Sequence, residues 1–282
     1  MGDIRQWLAD LVGERKVGRG TKAVIDAIIA DPEDSAYASA QELARRAGVN
    51  AATVVRAAQL LGFSGWPDLS TEVRNRYLSS LTVERVYDLY SADDADPVGQ
   101  TIGQDLRLLE TMLTSLDTAA VRAASEVIRT SRRTVVFTTG TYAAPAQQLA
   151  HVGQMLGYDV MLQSGASTAM LNSARLLGEG DCFFTYSIWK TTSLVRELAD
   201  VAKQRGATVV AIADRRSAVA ELADVFIAVP SEGRSFVPSI TCAVSVSQSI
   251  LRLLADADRA ATRARLRELD DLWERLGIVD DE

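Results

Sequence analysis

Residues 39–63 read SAQELARRAGVNAATVVRAAQLLGF, and this stretch decides how the first third of the chain is read. Ser39 followed by Glu42 is a capping box. The serine oxygen can accept from the amide three residues on, and the glutamate can reach back to the serine amide. A helix should therefore start at Ala40, with Leu43, Ala44 and Ala47 as its apolar stripe. Gly48 stands where a helix end favours a left-handed residue. Val49 then packs inward, and Asn50 caps a second helix that reaches Leu61 before Gly62 ends it. Val54, Ala58 and Leu61 share the inner side of that helix.

Ala51, Ala52, Thr53, Arg56 and Gln59 fall largely to its other faces. Two short helices with a tight turn and such a polar face meet the needs of a DNA-reading helix-turn-helix. Short side chains at a helix start allow close approach to a groove. Thr53 can bond a phosphate or a base edge, and Arg56 a phosphate or, bidentately, a guanine. The expected DNA contacts are Arg45, Asn50, Ala51, Ala52, Thr53, Arg56 and Gln59. The same spacing also describes an ordinary helical hairpin, and spacing alone leaves both open.

Outward from this stretch, residues 4–12 form an amphipathic helix with Ile4, Trp7, Leu8 and Leu11 on one face. Thr21 caps a helix over 22–30 that Asp31 and Pro32 stop. After the reader, Pro67 opens a helix over 68–81, and Trp66 is expected to be a core plug. Residues 82–100, TVERVYDLYSADDADPVGQ, turn polar and acidic. The domains are therefore read as an all-α domain over 1–81, a linker over 82–105, and a second domain over 106–282.

From Arg132 the pattern changes. The short strands TVVFTTG (134–140), YDVMLQ (158–163), DCFFTYS (181–187), ATVVAIAD (207–214) and VFIAVP (225–230) alternate with helical stretches. That alternation predicts an α/β, doubly wound parallel sheet. Ligands of such sheets bind beyond the strand carboxyl ends, which singles out 138–142, 164–168, 187–192 and 231–235. The arginine-rich tail DRAATRARLRELDDLWERLG reads as one more amphipathic helix.

Composition narrows the function. The formal net charge of −7 argues at first against a nucleic-acid partner. Residues 1–80, however, hold ten Lys and Arg against ten Asp and Glu, so the acidity lies beyond the reader. Cys182 and Cys242 sit far apart in apolar runs and read as buried, reduced thiols. With His151 the only histidine, neither a metal site nor a serine–histidine triad is expected, nor any cofactor. No apolar run reaches the ~20 residues of a membrane helix. The opening MGDIRQWLADLVGERK carries acids, unlike a secretory signal. A cytoplasmic protein without a membrane partner is expected.

Two resemblances add to this. Residues 21–69 resemble the N-terminal domain of RpiR-type bacterial transcriptional regulators, through TKAVIDAIIADPE and the run ELARRAGVNAATVVRAAQLLGFSGWPDL. Residues 106–258 resemble the SIS, or sugar isomerase, domain that such regulators carry next. The shared segments are the TTGT turn, GEGDCFFTYS, LVRELADVAKQRGATVVAIAD and ELADVFIAVP. The resemblance implies double-stranded operator DNA as a partner, a sugar phosphate or related metabolite as effector, and a homodimer or tetramer. It also implies that helices such as 98–116, with Ile102, Leu106, Leu109 and Leu113 spaced by three or four, can join protomers.

In SIS domains a Gly-x-Gly-x-Ser turn and a Ser-x-Ser-Gly-x-Thr loop hold a phosphosugar. Small residues let backbone amides and a helix N-terminus close on the phosphate. Here both loops depart from the pattern. The first reads Thr138, Thr139, Gly140, Thr141, Tyr142, with only the middle glycine kept. The second reads Ser187, Ile188, Trp189, Lys190, Thr191, Thr192, with Trp189 for the second serine and Lys190 for the glycine. Three readings follow. Lys190 supplies a point charge to an anion, or Tyr142 and Trp189 stack on a less phosphorylated ligand, or the pocket is self-filled and the domain only dimerises. The expected ligand residues are Thr139, Gly140, Thr141, Tyr142, Ser187, Trp189, Lys190, Thr191, Thr192 and Glu232. An active isomerase is the alternative of another class. It would need an acid/base pair, and no such pair is marked. His151 reads as a helix-surface or packed residue and Glu232 as a loop acid. The expected activity is regulation without catalysis, with repression as the expected sign, although a helix-turn-helix does not itself encode the sign.

Overall fold

The computed structural model describes residues 4–91, 96–190 and 192–278. The chain divides into two compact units, Met1–Ala95 and Asp96–Glu282.

Unit 1 is helical: α1 (Ile4–Val12), α2 (Arg19–Ala30), α3 (Pro32–Tyr37), α4 (Ala40–Ala47), α5 (Ala51–Leu60), α6 (Trp66–Ser80) and α7 (Val83–Ser91). Its core gathers Leu8, Val24, Ile28, Leu43, Val54, Ala58, Leu61, Trp66, Leu69 and Val73. Trp66 is buried, and its indole N–H donates to the Ala38 carbonyl at 2.8 Å, so the polar edge of the core plug is satisfied. Three local readings change. α2 starts at Arg19 with Gly18 as its cap, so Thr21 lies inside the helix. Pro32 does not only stop a helix. It is the first residue of α3, whose cap Asp31 accepts from the Asp34 amide at 3.0 Å, since proline fits a helix start. Part of the stretch read as linker, Val83–Ser91, is helical, with Val86 buried.

Unit 2 opens with α8 (Pro97–Ser115) and α9 (Thr118–Thr130). It then alternates β1 (Thr134–Phe137), α10 (Ala143–Met155), β2 (Val160–Gln163), α11 (Ser167–Ala174), β3 (Cys182–Ser187), α12 (Ser193–Gln204), β4 (Thr208–Ala213), α13 (Ala218–Leu222), β5 (Val225–Ala228), α14 (Thr241–Ala257) and α15 (Arg259–Leu276). Among the described residues the five strands form one parallel sheet in the order β2-β1-β3-β4-β5. β1 and β3 are fully buried, as central parallel strands must be. On one face Val136, Phe184 and Tyr186 pack under α9, α10 and α14. On the other, Phe137 stacks on Phe183 at 4.5 Å beneath α11 and α12.

The order positions the site. The chain leaves β1 toward β2 on one side and returns to β3 on the other, so the switch point lies between β1 and β3. Ligands of doubly wound sheets bind there, outside the carboxyl ends of the strands. The two loops at that point are 138–142 and 187–192.

Candidate functional site

The capping box that starts α4 is formed: the Glu42 amide donates to Ser39 Oγ at 3.2 Å, and the Ser39 amide donates to Glu42 Oε2 at 2.7 Å. These bonds hold the Glu42 carboxyl below its ordinary value. Gly48 closes α4 at φ 64°, a left-handed conformation that a Cβ would strain. α5 then begins with a hydrogen-bonded chain. The Asn50 side-chain oxygen Oδ1 accepts from the Thr53 amide and the Thr53 hydroxyl, each at 2.9 Å, and Arg56 donates to Thr53 Oγ1 at 3.1 Å. The Asn50 oxygen is thus occupied as a cap, while Arg56 is held over the first turn of its own helix. Arg45, Asn50, Ala52, Arg56 and Gln59 are exposed, and Ala51 and Thr53 half-buried. A groove of about 430 Å³ runs between the two helix starts, lined by Ser39, Gln41, Arg45, Val49 and Ala51 among others.

One support was not legible in the motif. The Thr53 methyl lies against Gly20 of α2, where a Cβ would fall 2.8 Å from Thr53 Cγ2. The reader helix is therefore seated on the N-terminal turn of α2.

At the switch point of unit 2, Gly140 takes φ 65°, and Gly140–Tyr142 form a single 3-10 turn leading into α10. Thr139 is half-buried and Thr141 exposed. Tyr142 points inward: it is 8% exposed, and its hydroxyl is buried without a well-formed partner. Burial, reinforced by the Asp214 carboxylate, pushes its pKa up. It is a core residue here, not a wall offered to solvent.

The 187–192 loop is held from several sides. Ser187 is buried, with its hydroxyl 3.2 Å from that of Ser217. Trp189 has φ 60°, the one non-glycine residue with positive φ among the described residues. That conformation costs roughly 1–2 kcal/mol in a residue with a Cβ. It is maintained by hydrogen bonds on both sides of the residue: its amide donates to Asp214 Oδ2 at 2.8 Å, and its carbonyl accepts from Arg215. Asp214 and Arg215 pair at 3.2 Å with side chains 4% and 10% exposed, and Ser231 donates its hydroxyl to Asp214 Oδ2 at 3.0 Å. Lys190 is exposed, its ammonium 5.0 Å from the centre of the Trp189 ring. Thr192 is the exposed N-cap of α12, with no side-chain capping bond. Thr191 lies outside the described residues. Glu232 is half-buried, and its backbone carbonyl accepts from Gln104 at 2.8 Å.

The structure thus brings Ser187 and Trp189 together with Asp214, Arg215, Ser217 and Ser231. Sequence reading had not included Asp214, Arg215 or Ser217, and Ser231 fell in the stretch 231–235 without being named as a site residue. Only their place at the carboxyl ends of β4 and β5 could have signalled them. His151 is exposed on α10, and the 164–168 turn is exposed. Both cysteines are buried and unpaired, and burial pushes the Cys182 thiol up to about 12 and Cys242 to about 11.

Residues 14–80 match the helix-turn-helix domain of the rpiR family, and residues 127–255 match the SIS domain. The chain belongs to the RpiR family. A helix-turn-helix-type transcriptional regulator of Haemophilus influenzae, itself uncharacterized, is 26% identical over 215 residues, 73% of each chain. The sugar isomerase domain of an RpiR transcription factor from Sphaerobacter thermophilus superposes with a TM-score of 0.59 at 24% identity, covering 61% of this chain and 97% of that one. The Vibrio vulnificus NanR protein, solved in complex with ManNAc-6P, gives 0.58 at 17% identity over 97% and 98% of the two chains. These structural likenesses establish the fold. This RpiR-family chain is a helix-turn-helix regulator with a SIS domain, and no helix among its described residues is long and apolar enough to cross a membrane.

Proposed function

We propose that this RpiR-family chain represses transcription by binding operator DNA through α5 and releases it in response to a small anionic metabolite, a phosphosugar or close relative, at the 187–192 loop. Unit 1, expected as 1–81, would bind DNA, and unit 2, which takes in α8 and so part of the 82–105 stretch read as linker, would sense and pair. What supports this reading is an exposed Arg45, Arg56 and Gln59 on a capped helical pair, in a chain whose 187–192 loop lies at the switch point where doubly wound sheets take ligands. NanR in complex with ManNAc-6P supports a phosphosugar as the effector class. Lys190 and the Thr141 and Thr192 hydroxyls, all exposed, would meet the anion, with Thr139, Gly140 and Glu232 around it. Trp189 would sit against its sugar face.

A second copy is the partner that α8 favours. Val98, Ile102, Leu106 and Leu113 recur at helical spacing and are 57–85% exposed, an apolar stripe that a lone soluble chain would not leave in water. A homodimer matches a near-palindromic operator, and pairing of two such dimers gives the tetramer. Work in the cytoplasm, without a membrane partner, goes with this reading.

A thermal-shift screen of phosphosugars and their free sugars tests the effector, since a ligand of the native state raises the melting temperature by mass action. Stabilisation by a phosphosugar that Lys190→Ala removes is expected. Stabilisation only by free sugars, or by none, would replace this effector with the neutral-ligand or the self-filled pocket. Turnover of a phosphosugar by the purified chain would make it an isomerase instead.

A further inference from the structure

We propose that segment 231–239 is a relay that carries the state of the 187–192 loop to helix α8, with the Asp214 carboxylate as its hub. The inference rests on reading 187–192 as the sensing loop and adds how the signal leaves it.

One enclosed carboxylate collects donors from three strand-end loops. Asp214 Oδ2 accepts from the Trp189 amide at 2.8 Å and from the Ser231 hydroxyl at 3.0 Å, and Oδ1 is 3.2 Å from the Arg215 guanidinium. A buried charge depends on such donors, so losing one forces the others to rearrange. Trp189 supplies the two-state element. Its backbone is left-handed, with Asp214 and Arg215 bonded to its amide and carbonyl, and on this proposal a ligand that draws the amide away lets it relax.

Segment 231–239 is stiff enough to transmit such a change. The Ser239 amide donates to the Ser231 carbonyl at 2.8 Å, closing the loop on itself. Around Gly233 the packing is so close that a Cβ would lie 2.9 Å from the Val237 carbonyl oxygen and 3.2 Å from the Ser239 nitrogen. The far side of the segment is tied to the N-terminal half of α8. Gln104 Nε2 donates to the Glu232 carbonyl at 2.8 Å, and Arg234 donates to Gln100 Oε1 at 2.7 Å. Just beyond the segment, the Thr241 hydroxyl donates to Asp105 at 2.6 Å. Gln100 and Gln104 stand one turn apart, on the helix that also carries the exposed stripe of Val98, Ile102 and Leu106. A shift of the segment therefore moves the surface proposed to pair two protomers.

Hydrogen–deuterium exchange of the full chain without ligand tests this. In Asp214→Asn, protection is expected to fall on the order of tenfold in 231–239 and in α8 over 100–107, with α9 and unit 1 unchanged. The effect on α8 should vanish when the same change is made in a Gln100→Met/Gln104→Met background, because both ties between the segment and α8 are then already cut. Ser231→Ala removes a single hydroxyl and should give the same pattern more weakly, which covers the case in which Asp214→Asn fails to fold. Protection of α8 within about twofold of the parent in both Asp214→Asn and Ser231→Ala would overturn the relay. So would an Asp214→Asn effect that persists in full alongside Gln100→Met/Gln104→Met. The sensing reading fails separately: ManNAc-6P and other phosphosugars that leave the melting temperature unmoved would remove the effector while an α8 response to Asp214→Asn keeps the relay.

Discussion

Gly20→Ala isolates the seating of the reader helix. Gly20 is the second residue of α2 and meets no left-handed requirement, so alanine should by propensity alone stabilise the helix by about 0.5–1 kcal/mol. The new methyl, however, would lie 2.8 Å from Thr53 Cγ2, far inside ordinary contact. Thr53 is β-branched and stiff at χ1. Turning its methyl away also turns its hydroxyl away from Asn50 and Arg56, now at 2.9 and 3.1 Å. Losing those bonds costs roughly 0.5–1.5 kcal/mol each, and keeping them costs about 1–3 kcal/mol of overpacking. Either way the loss exceeds the propensity gain, and a net destabilisation of about 1 kcal/mol is expected in urea unfolding. DNA affinity should fall further, about tenfold, because Arg56 loses the bond that orients it. The assay is fluorescence anisotropy with a duplex selected by the protein from a random library, at fixed salt. A variant that gains the full propensity increment and binds DNA as the parent does would show that Thr53 has room to move and that α2 does not seat the reader.

Other outcomes check separate parts of the structure. Arg56→Ala should weaken binding to the selected duplex by ~1–3 kcal/mol with relaxed preference at one base pair if it reads a base, or nearly uniformly across sequences if it holds a phosphate; unchanged affinity removes it from the reader. Glu42 has its pKa depressed by the Ser39 bonds, so the capping box stabilises the fold above the ordinary carboxyl value of 4.5 and loses that contribution as pH falls through the lower folded value. Glu42→Gln should flatten this acid limb of the unfolding midpoint, and an unchanged limb would assign it to other carboxyls. Cys182 and Cys242 are buried with raised pKa values, so maleimide should leave the native chain unlabelled and modify both thiols in urea; rapid native labelling would mean an open core.

How much was legible depended on distance along the chain. The capping box, the left-handed Gly48 and the Asn50 cap involve partners three residues apart or fewer, and all stand where the sequence places them. The five strands were legible for a similar reason: each is a short β-branched or aromatic run bounded by turn residues. α2 is capped by Gly18 rather than Thr21, and its Gly20 packs on Thr53, a contact spanning more than thirty residues that no local signal records. Asp31 and Pro32 do stop the helix, at Ala30, but the same pair also serves as cap and first residue of α3, which the stop signal alone does not reveal. Asp214 was invisible for a stronger reason. At the end of ATVVAIAD it looks like any polar residue leaving a strand, and its role exists only where the loops of β3, β4 and β5 converge.

The departure of the 187–192 loop from its family pattern then has a physical consequence. A left-handed Trp189 costs roughly 1–2 kcal/mol. Against this stand its amide bond to a buried carboxylate and the Arg215 bond to its carbonyl, each charge-assisted and of the kind that contributes about 1.5–3 kcal/mol. The bonds outweigh the strain by a few kcal/mol, so without ligand the loop rests closed. A ligand that opens it must make up that difference through binding the open form alone. By mass action ~2.7 kcal/mol requires a concentration about 100 times the intrinsic dissociation constant, and ~4.1 kcal/mol about 1,000 times. For a metabolite present near ~1 mM, the open loop must then bind it with an intrinsic constant of roughly 1–10 μM. With a sugar phosphate as the proposed effector, held at both its anion and its ring, the thermal-shift screen is expected to show stabilisation that inorganic phosphate, held at one point, does not give; equal shifts from the two would refute the two-point grip.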